Sequence, residues 1–241
     1  MQPRVLVTGA SSGIGLAVAE RLVADGYAVT SFDVQAPARD VPGVTHVQVD
    51  LRDAAQTREA VAELVRSGEV LRLVNNAGIV QPASVADTTP ESLQAVAALN
   101  VQAPLLLLQG LLPDMQARGF GRVVNVSSRA ALGKPLRTAY AASKAGLLGM
   151  TRSWALELAA HGITVNAIGP GPIATELFQR VNPPGAPQTQ RILDTIPLAR
   201  MGEPAEVAHA IASLLDDRAG FITGQVLYVC GGMTVGLGNA A

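Results

Sequence analysis

The chain has 241 residues, of which 49% are hydrophobic, 15% charged and only 3% aromatic. So little charge argues against disorder, and a formal net charge of -1 gives no general attraction to nucleic acid or an anionic membrane. A single cysteine, Cys230, excludes an internal disulfide framework and fits a reducing compartment.

Met1-Gln2-Pro3-Arg4 leads straight into a strand-like run with no signal-peptide pattern. The apolar stretches read as too short or too interrupted to span a bilayer, so the expected location is cytoplasmic. Predicted strands begin at Val5-Leu6-Val7, Ala28-Val29-Thr30, His46 to Val49, Leu71 to Val74, Arg122 to Val126, Ile163 to Asn166 and Val226 to Val229. Ala/Leu-rich helical patterns lie between them, for example Ile14 to Asp25 and Ala54 to Ser67. This alternation predicts an α/β fold, a doubly wound parallel β-sheet with helices on both faces. No composition shift marks a boundary, so residues 1–241 read as a single domain. Asn182 to Pro187 breaks the pattern and reads as a surface loop.

The first strand ends in Thr8-Gly9-Ala10-Ser11-Ser12-Gly13-Ile14-Gly15 and a helix follows. Glycines there let the backbone approach a diphosphate, and the exposed N–H groups of the helix start favour an anion. The second strand ends at Asp33, about twenty residues on, where a carboxylate can accept hydrogen bonds from ribose hydroxyls. The same carboxylate would repel a 2′-phosphate, and Ser12 and Val34 put no basic residue beside it, so NAD is expected over NADP. Read by itself, Asp33 is also compatible with a plain solvated turn.

Tyr140-Ala141-Ala142-Ser143-Lys144 places a phenol and an ammonium on one helix face. An ammonium beside a phenol lowers its pKa from about 10, so the tyrosine can exchange a proton with an alcohol near neutral pH. Tyr-x-x-x-Lys is common as a surface pair, and its position after Ser127-Ser128 is what gives it weight.

The glycine spacing, Gly9-x-x-x-Gly13-x-Gly15, departs from Gly-x-Gly-x-x-Gly and resembles the short-chain dehydrogenase/reductase family. Asn75-Asn76-Ala77-Gly78, the tyrosine–lysine segment and Gly169-Pro170-Gly171-Pro172-Ile173-Ala174-Thr175 extend the likeness to nearly the whole chain. By that resemblance Tyr140 is the general acid/base, Lys144 tunes it and holds the nicotinamide ribose, a serine orients the substrate oxygen, and Asn100 completes a proton relay. Counting along the fifth strand makes that serine Ser128; counting back from Tyr140 makes it Ser127. Strand register controls where a side chain points, so Ser128 is preferred. The resemblance further implies cofactor contacts from Gly9, Ser11, Ser12, Gly13, Ile14, Gly15, Asp33, Asp50, Leu51, Asn76, Ala77, Gly78, Pro170, Gly171, Ile173 and Thr175, with no metal. Asn76 and Gly78 read as partly structural, because Asn side chains in such a turn bond the backbone. Residues from Glu176 to about Arg200 are expected to form a lid over the substrate, with Leu177, Phe178, Ile192 and Leu193 its apolar members.

The expected activity is NAD-dependent hydride transfer to or from a secondary alcohol or ketone. Within the class, an NADPH-linked 3-oxoacyl-carrier-protein reductase is the alternative; from another class, a dinucleotide-binding sensor without turnover. The resemblance also implies a homotetramer or homodimer. Arg129, Lys134 and Arg137 form a basic loop that suits either an acidic substrate or plain solvent.

Overall fold

Apolar runs four to eight residues long become strands here because the chain can bury them on both faces. The computed structural model describes residues 2–235. Its strands are β1 (Arg4–Thr8), β2 (Ala28–Asp33), β3 (Val44–Gln48), β4 (Arg72–Asn75), β5 (Gly121–Val126), β6 (Ile163–Pro170) and β7 (Val226–Val229). They form one sheet in the order β3-β2-β1-β4-β5-β6-β7, parallel throughout. The helices are α1 (Gly13–Ala24), α2 (Ala54–Arg66), α3 (Pro90–Ala97), α4 (Ala103–Arg118), α5 (Thr138–Leu158), α6 (Glu176–Val181), α7 (Pro187–Leu193) and α8 (Pro204–Leu215).

Alternation along each strand feeds two cores. Val5 and Val7 face the layer of α1 and α8, whereas Leu6 faces the layer of α2, α4 and α5. Val124 and Val126 join the first core and Val123 the second. From β1 the chain winds out through β2 and β3; from β4 it winds the other way through β5, β6 and β7. The crevice at the carboxyl ends of β1 and β4 is therefore the switch point where such folds hold ligands.

The sixth strand begins at Ile163, as expected, and runs to Pro170, its later half pairing with β7 from Ala167↔Val226 to Pro170↔Val229. One expectation is corrected: the apolar stretches are not all short. Pro90–Arg118 is one continuous helix of 29 residues, α3 and α4 joined through a π-helical turn, long and apolar enough to cross a membrane. In this fold it is a core helix, with Leu106, Leu107, Leu108, Leu111 and Met115 buried and α4 packed on α2.

Candidate active site

The glycine loop is shaped by close approach. Gly9 has φ +69°, and a Cβ there would come within 2.9 Å of the Ala77 Cα. At Gly15 an added Cβ would lie 2.0 Å from the Gly9 carbonyl oxygen, so any side chain would push α1 off β1. Ser12 stands at the N-cap of α1 without a side-chain cap, and the first turn holds no acidic residue. The free N–H groups of this helix start thus remain available to an anion. Ile14 instead packs into the first core.

Asp33 is tied to that loop. Its Oδ2 accepts from the Ser11 N–H at 3.1 Å and its Oδ1 from the Gln35 N–H at 3.1 Å. An ionised carboxylate has about four lone-pair sites, so capacity remains for further donors. Ser11 is buried, and its hydroxyl donates to the Gln35 carbonyl at 2.9 Å. Asp50, after β3, is gripped by the Arg52 guanidinium at 2.6 Å, which holds its carboxyl below the usual range. Leu51 is buried in the second core.

The turn after β4 is stitched to the glycine loop. Asn76 Nδ2 donates to the carbonyls of Thr8 at 2.9 Å and Gly9 at 3.1 Å, while the N–H groups of Asn76 and Ala77 both donate to the Thr8 hydroxyl. Asn76 is therefore occupied with backbone. Gly78 stands before two site residues: an added Cβ would lie 3.2 Å from both Asn100 Oδ1 and Lys144 Nζ.

Asn100 sits in the π-helical turn Ala98–Gln102, a widened turn of the kind often found at functional sites. Fully buried, it accepts from the Ile79 N–H at 2.9 Å and donates to the Ile79 carbonyl at 3.1 Å and the Ser143 hydroxyl at 3.0 Å. Ser143 in turn donates to the Tyr140 carbonyl at 2.8 Å. Ser127 and Ser128 part company at the end of β5. The Ser127 hydroxyl is buried and donates to the Lys144 carbonyl at 2.8 Å, whereas the Ser128 hydroxyl stands close enough to that of Tyr140 to favour its ionised form.

Electrostatics at Tyr140 differ from the sequence reading. Burial pushes the phenol above its ordinary range, opposed by the Ser128 hydroxyl and then by the Arg137 charge. Lys144 lies over the Tyr140 ring and makes no hydrogen bond to its hydroxyl among the described residues. Its ammonium donates to the Val126 carbonyl at 2.7 Å, lies 5.7 Å from the Tyr140 ring centroid, and is itself pushed down to about 8 by burial. Arg137 was not expected to act on the phenol; its place three residues before Tyr140 at the start of α5 was the available signal. Ser143, inside the Tyr-x-x-x-Lys segment, carried no such signal.

The turn after β6 closes the crevice. A Cβ on Gly171 would meet the Cys230 Cα at 2.8 Å, so β7 crowds this turn. Pro170 ends β6, and Ile173 is buried and bridged to Gly202. Thr175 caps α6 through the Phe178 N–H at 3.3 Å, and its methyl would lie 3.3 Å from a Cβ on Gly13. The expected lid comprises α6, α7 and the loop between them, with Phe178, Ile192 and Leu193 half-buried. The side chain of Leu177 lies outside the described ones. A cavity of about 330 Å³ lies beside the lid's far end, lined by Ile196, Leu198, Tyr228 and Cys230, and contains none of the candidate catalytic residues.

A nicotinamide dinucleotide fits these residues. An ammonium carries three donors, and Lys144 uses one on Val126, leaving two for sugar hydroxyls. Asp33 offers spare acceptors at the other end, and the uncapped start of α1 lies between them.

Comparison with known proteins agrees. A family profile described as enoyl-(acyl carrier protein) reductase matches residues 9–234. The chain is 38% identical over 241 residues to a 3-oxoacyl-(acyl-carrier-protein) reductase of Thermotoga maritima, covering 95% of this chain and 97% of that one. It is 40% identical over 234 residues to an acetoacetyl-CoA reductase of Rhizobium meliloti, covering 94% and 96%. A solved structure of a candidate NAD(P)-dependent gluconate 5-dehydrogenase from Beutenbergia cavernae, with NADP bound at low occupancy, superposes with a TM-score of 0.91 at 31% identity, covering 96% of each chain. The chain is a dinucleotide-binding oxidoreductase fold, and it belongs to the short-chain dehydrogenase/reductase family.

Proposed function

We propose that the protein is an NAD-linked oxidoreductase that interconverts a secondary alcohol and its ketone, with Tyr140 as general acid/base. The observation that carries this reading is the meeting of the Tyr140 and Ser128 hydroxyls beside the buried Lys144 ammonium at the carboxyl edge of the sheet. When bound, the nicotinamide supplies or accepts the hydride at its C4. In the oxidation direction the alcohol carbon gives up that hydride, the alcohol O–H proton passes to Tyr140 in its phenolate form and from there to solvent, and a ketone remains. Ser128 orients the oxygen, Lys144 holds the ribose, and Asn100 with Ser143 braces the helix turn that carries Tyr140. The glycine loop, Asp33, the turn at Asn76-Ala77-Gly78 and the turn from Pro170 to Thr175 hold the rest of the cofactor, with 176–200 as a closing lid. We further infer a homodimer or homotetramer acting in the cytoplasm.

Two observations favour different cofactors. The Asp33 carboxylate, held against the glycine loop by the Ser11 N–H, favours NAD because it would repel a 2′-phosphate. The relatives named as thioester reductases and the neighbour with NADP bound favour the alternative, an NADPH-linked reduction of a 3-oxoacyl thioester. A non-catalytic sensor would have no need of the Ser128–Tyr140–Lys144 cluster. The test is absorbance of the reduced nicotinamide, with NAD(H) and NADP(H) in parallel against secondary alcohols, ketones and 3-oxoacyl thioesters. NAD-linked alcohol oxidation supports the main reading, NADPH-linked thioester reduction supports the alternative, and cofactor binding without any turnover supports the sensor.

A further inference from the structure

Three cations crowd the rim of the catalytic cluster. The helical turn Arg129–Leu132 begins one residue after Ser128, whose hydroxyl accepts from the Ala130 N–H at 3.1 Å, so the backbone of Arg129 is fixed beside the serine that acts on Tyr140. Its Nε is buried and has no acceptor among the described residues. Arg137 acts on Tyr140 through its charge, and among the described residues its guanidinium makes one hydrogen bond, from Nη1 to the Leu136 carbonyl at 2.8 Å. Lys134 lies between them, repelled by both. The chain has just two lysines, Lys134 and Lys144, and both stand at this site.

Among the described residues no carboxylate answers these charges. Seven of the fourteen other arginines, such as Arg52, Arg200 and Arg218, are paired with acids there, and Arg129, Lys134 and Arg137 are not. The facing loop is bound to theirs by the Ala83 N–H, which donates to the Leu136 carbonyl at 3.2 Å, yet its one acid, Asp87, is taken by the Ser84 hydroxyl. Leu136 is held at φ +60°, a left-handed conformation that a leucine rarely adopts, so the loop is fixed against both strain and like-charge repulsion. A buried guanidinium donor without an acceptor costs free energy until an anion supplies one. Arginine's planar fork matches a carboxylate in a bidentate pair.

We propose that the site takes hydroxy and oxo carboxylic acids, the free carboxylate lying close to the reacting carbon and held by Arg129, with Lys134 and Arg137 adding charge. This rests on the oxidoreductase reading above. It separates two chemistries, since a thioester at the same place presents no charge to Arg129.

The test compares 2-, 3- and 4-hydroxy acids of four to eight carbons with their methyl esters and N-acetylcysteamine thioesters, in wild type, Arg129→Gln and Arg129→Lys. The expected result is a free-acid kcat/KM at least ~10-fold above the ester's, a tenfold ratio being what a single modest charge-assisted contact supplies. Arg129→Gln should abolish that preference through KM, and Arg129→Lys should retain part of it. Esters or thioesters used as well as the acids would overturn the inference while leaving the oxidoreductase reading standing. If nothing turns over, that reading fails, and binding decides the inference alone. Saturation-transfer NMR on the cofactor-loaded protein should detect butyrate but not methyl butyrate, with the butyrate signal lost in Arg129→Gln. Equal signals in wild type and variant, or no butyrate signal in wild type, overturn it. Circular dichroism of each variant establishes that the fold is intact.

Discussion

Buried cations stand at both ends of the sheet, in opposite circumstances. At the amino ends of β4 and β5, Arg72 and Arg122 have no buried donor left without a partner among the described residues. Arg72 pairs with Asp217 and donates to the Leu215 carbonyl at 3.2 Å; Arg122 donates to the carbonyls of Gly121, Gly162, Asp216 and Asp217. Both guanidinium groups stack on the Phe120 ring, at 4.8 and 4.2 Å from its centroid. At the carboxyl ends, Lys144 has one carbonyl for three donors and Arg129 Nε has none. Partnered donors tie α8 to the strands and leave no buried donor for a ligand. Unpartnered donors cost stability and retain the capacity to bind. A buried charge with full partners belongs to the scaffold, and one without them belongs to the site.

The comparison breaks most visibly at Tyr140. Tyr140→Phe is expected to lower turnover by about 10²–10⁴-fold, the usual worth of a positioned acid/base, with cofactor affinity nearly unchanged. Turnover like wild type's would remove Tyr140 from the chemistry.

The next effect concerns sign. With a pKa lowered to about 8 in the folded protein from an ordinary value of 10.5, Lys144 binds fewer protons folded than unfolded between those pH values. Stability should therefore rise with pH across that window, by at most about 3 kcal/mol, and Lys144→Met should remove the rise. Denaturant titrations of both proteins at pH 7.5 and 10 (about ±0.1) measure it. A wild-type profile parallel to the variant's would mean that the ammonium is better partnered than its single carbonyl indicates.

At the other end of the sheet, Arg72→Met should destabilise by roughly 1.5–3 kcal/mol, the range for hydrogen bonds to a charged group, without altering cofactor affinity. A loss of affinity there would blur the division between scaffold and site. The smallest effect is expected at Asp33. Asp33→Asn should shift the NAD/NADP preference toward NADP by about tenfold, close to 1.4 kcal/mol, measured as the ratio of the two kcat/KM values. An unchanged ratio would count against Asp33 as the selector and strengthen the NADPH reading.

Much of the molecule was legible along the chain. The seven strands, the helices between them, the glycine loop and the Tyr140–Lys144 pair are local patterns, because burial on two faces and one-face helix spacing write themselves into consecutive residues. Tertiary structure alone decided the rest. Which of Ser127 and Ser128 meets Tyr140 depends on strand register and on where the Lys144 carbonyl falls. The partners of Asn100 depend on a widened helix turn that brings Ile79 and Ser143 beside it. The Tyr140 shift runs upward because desolvation is a property of the packed interior, not of the spacing between a tyrosine and a lysine. Sequence determined which groups stand at the carboxyl edge of the sheet; packing decided which of them have partners, since hydrogen bonds and burial are settled between segments far apart in the chain.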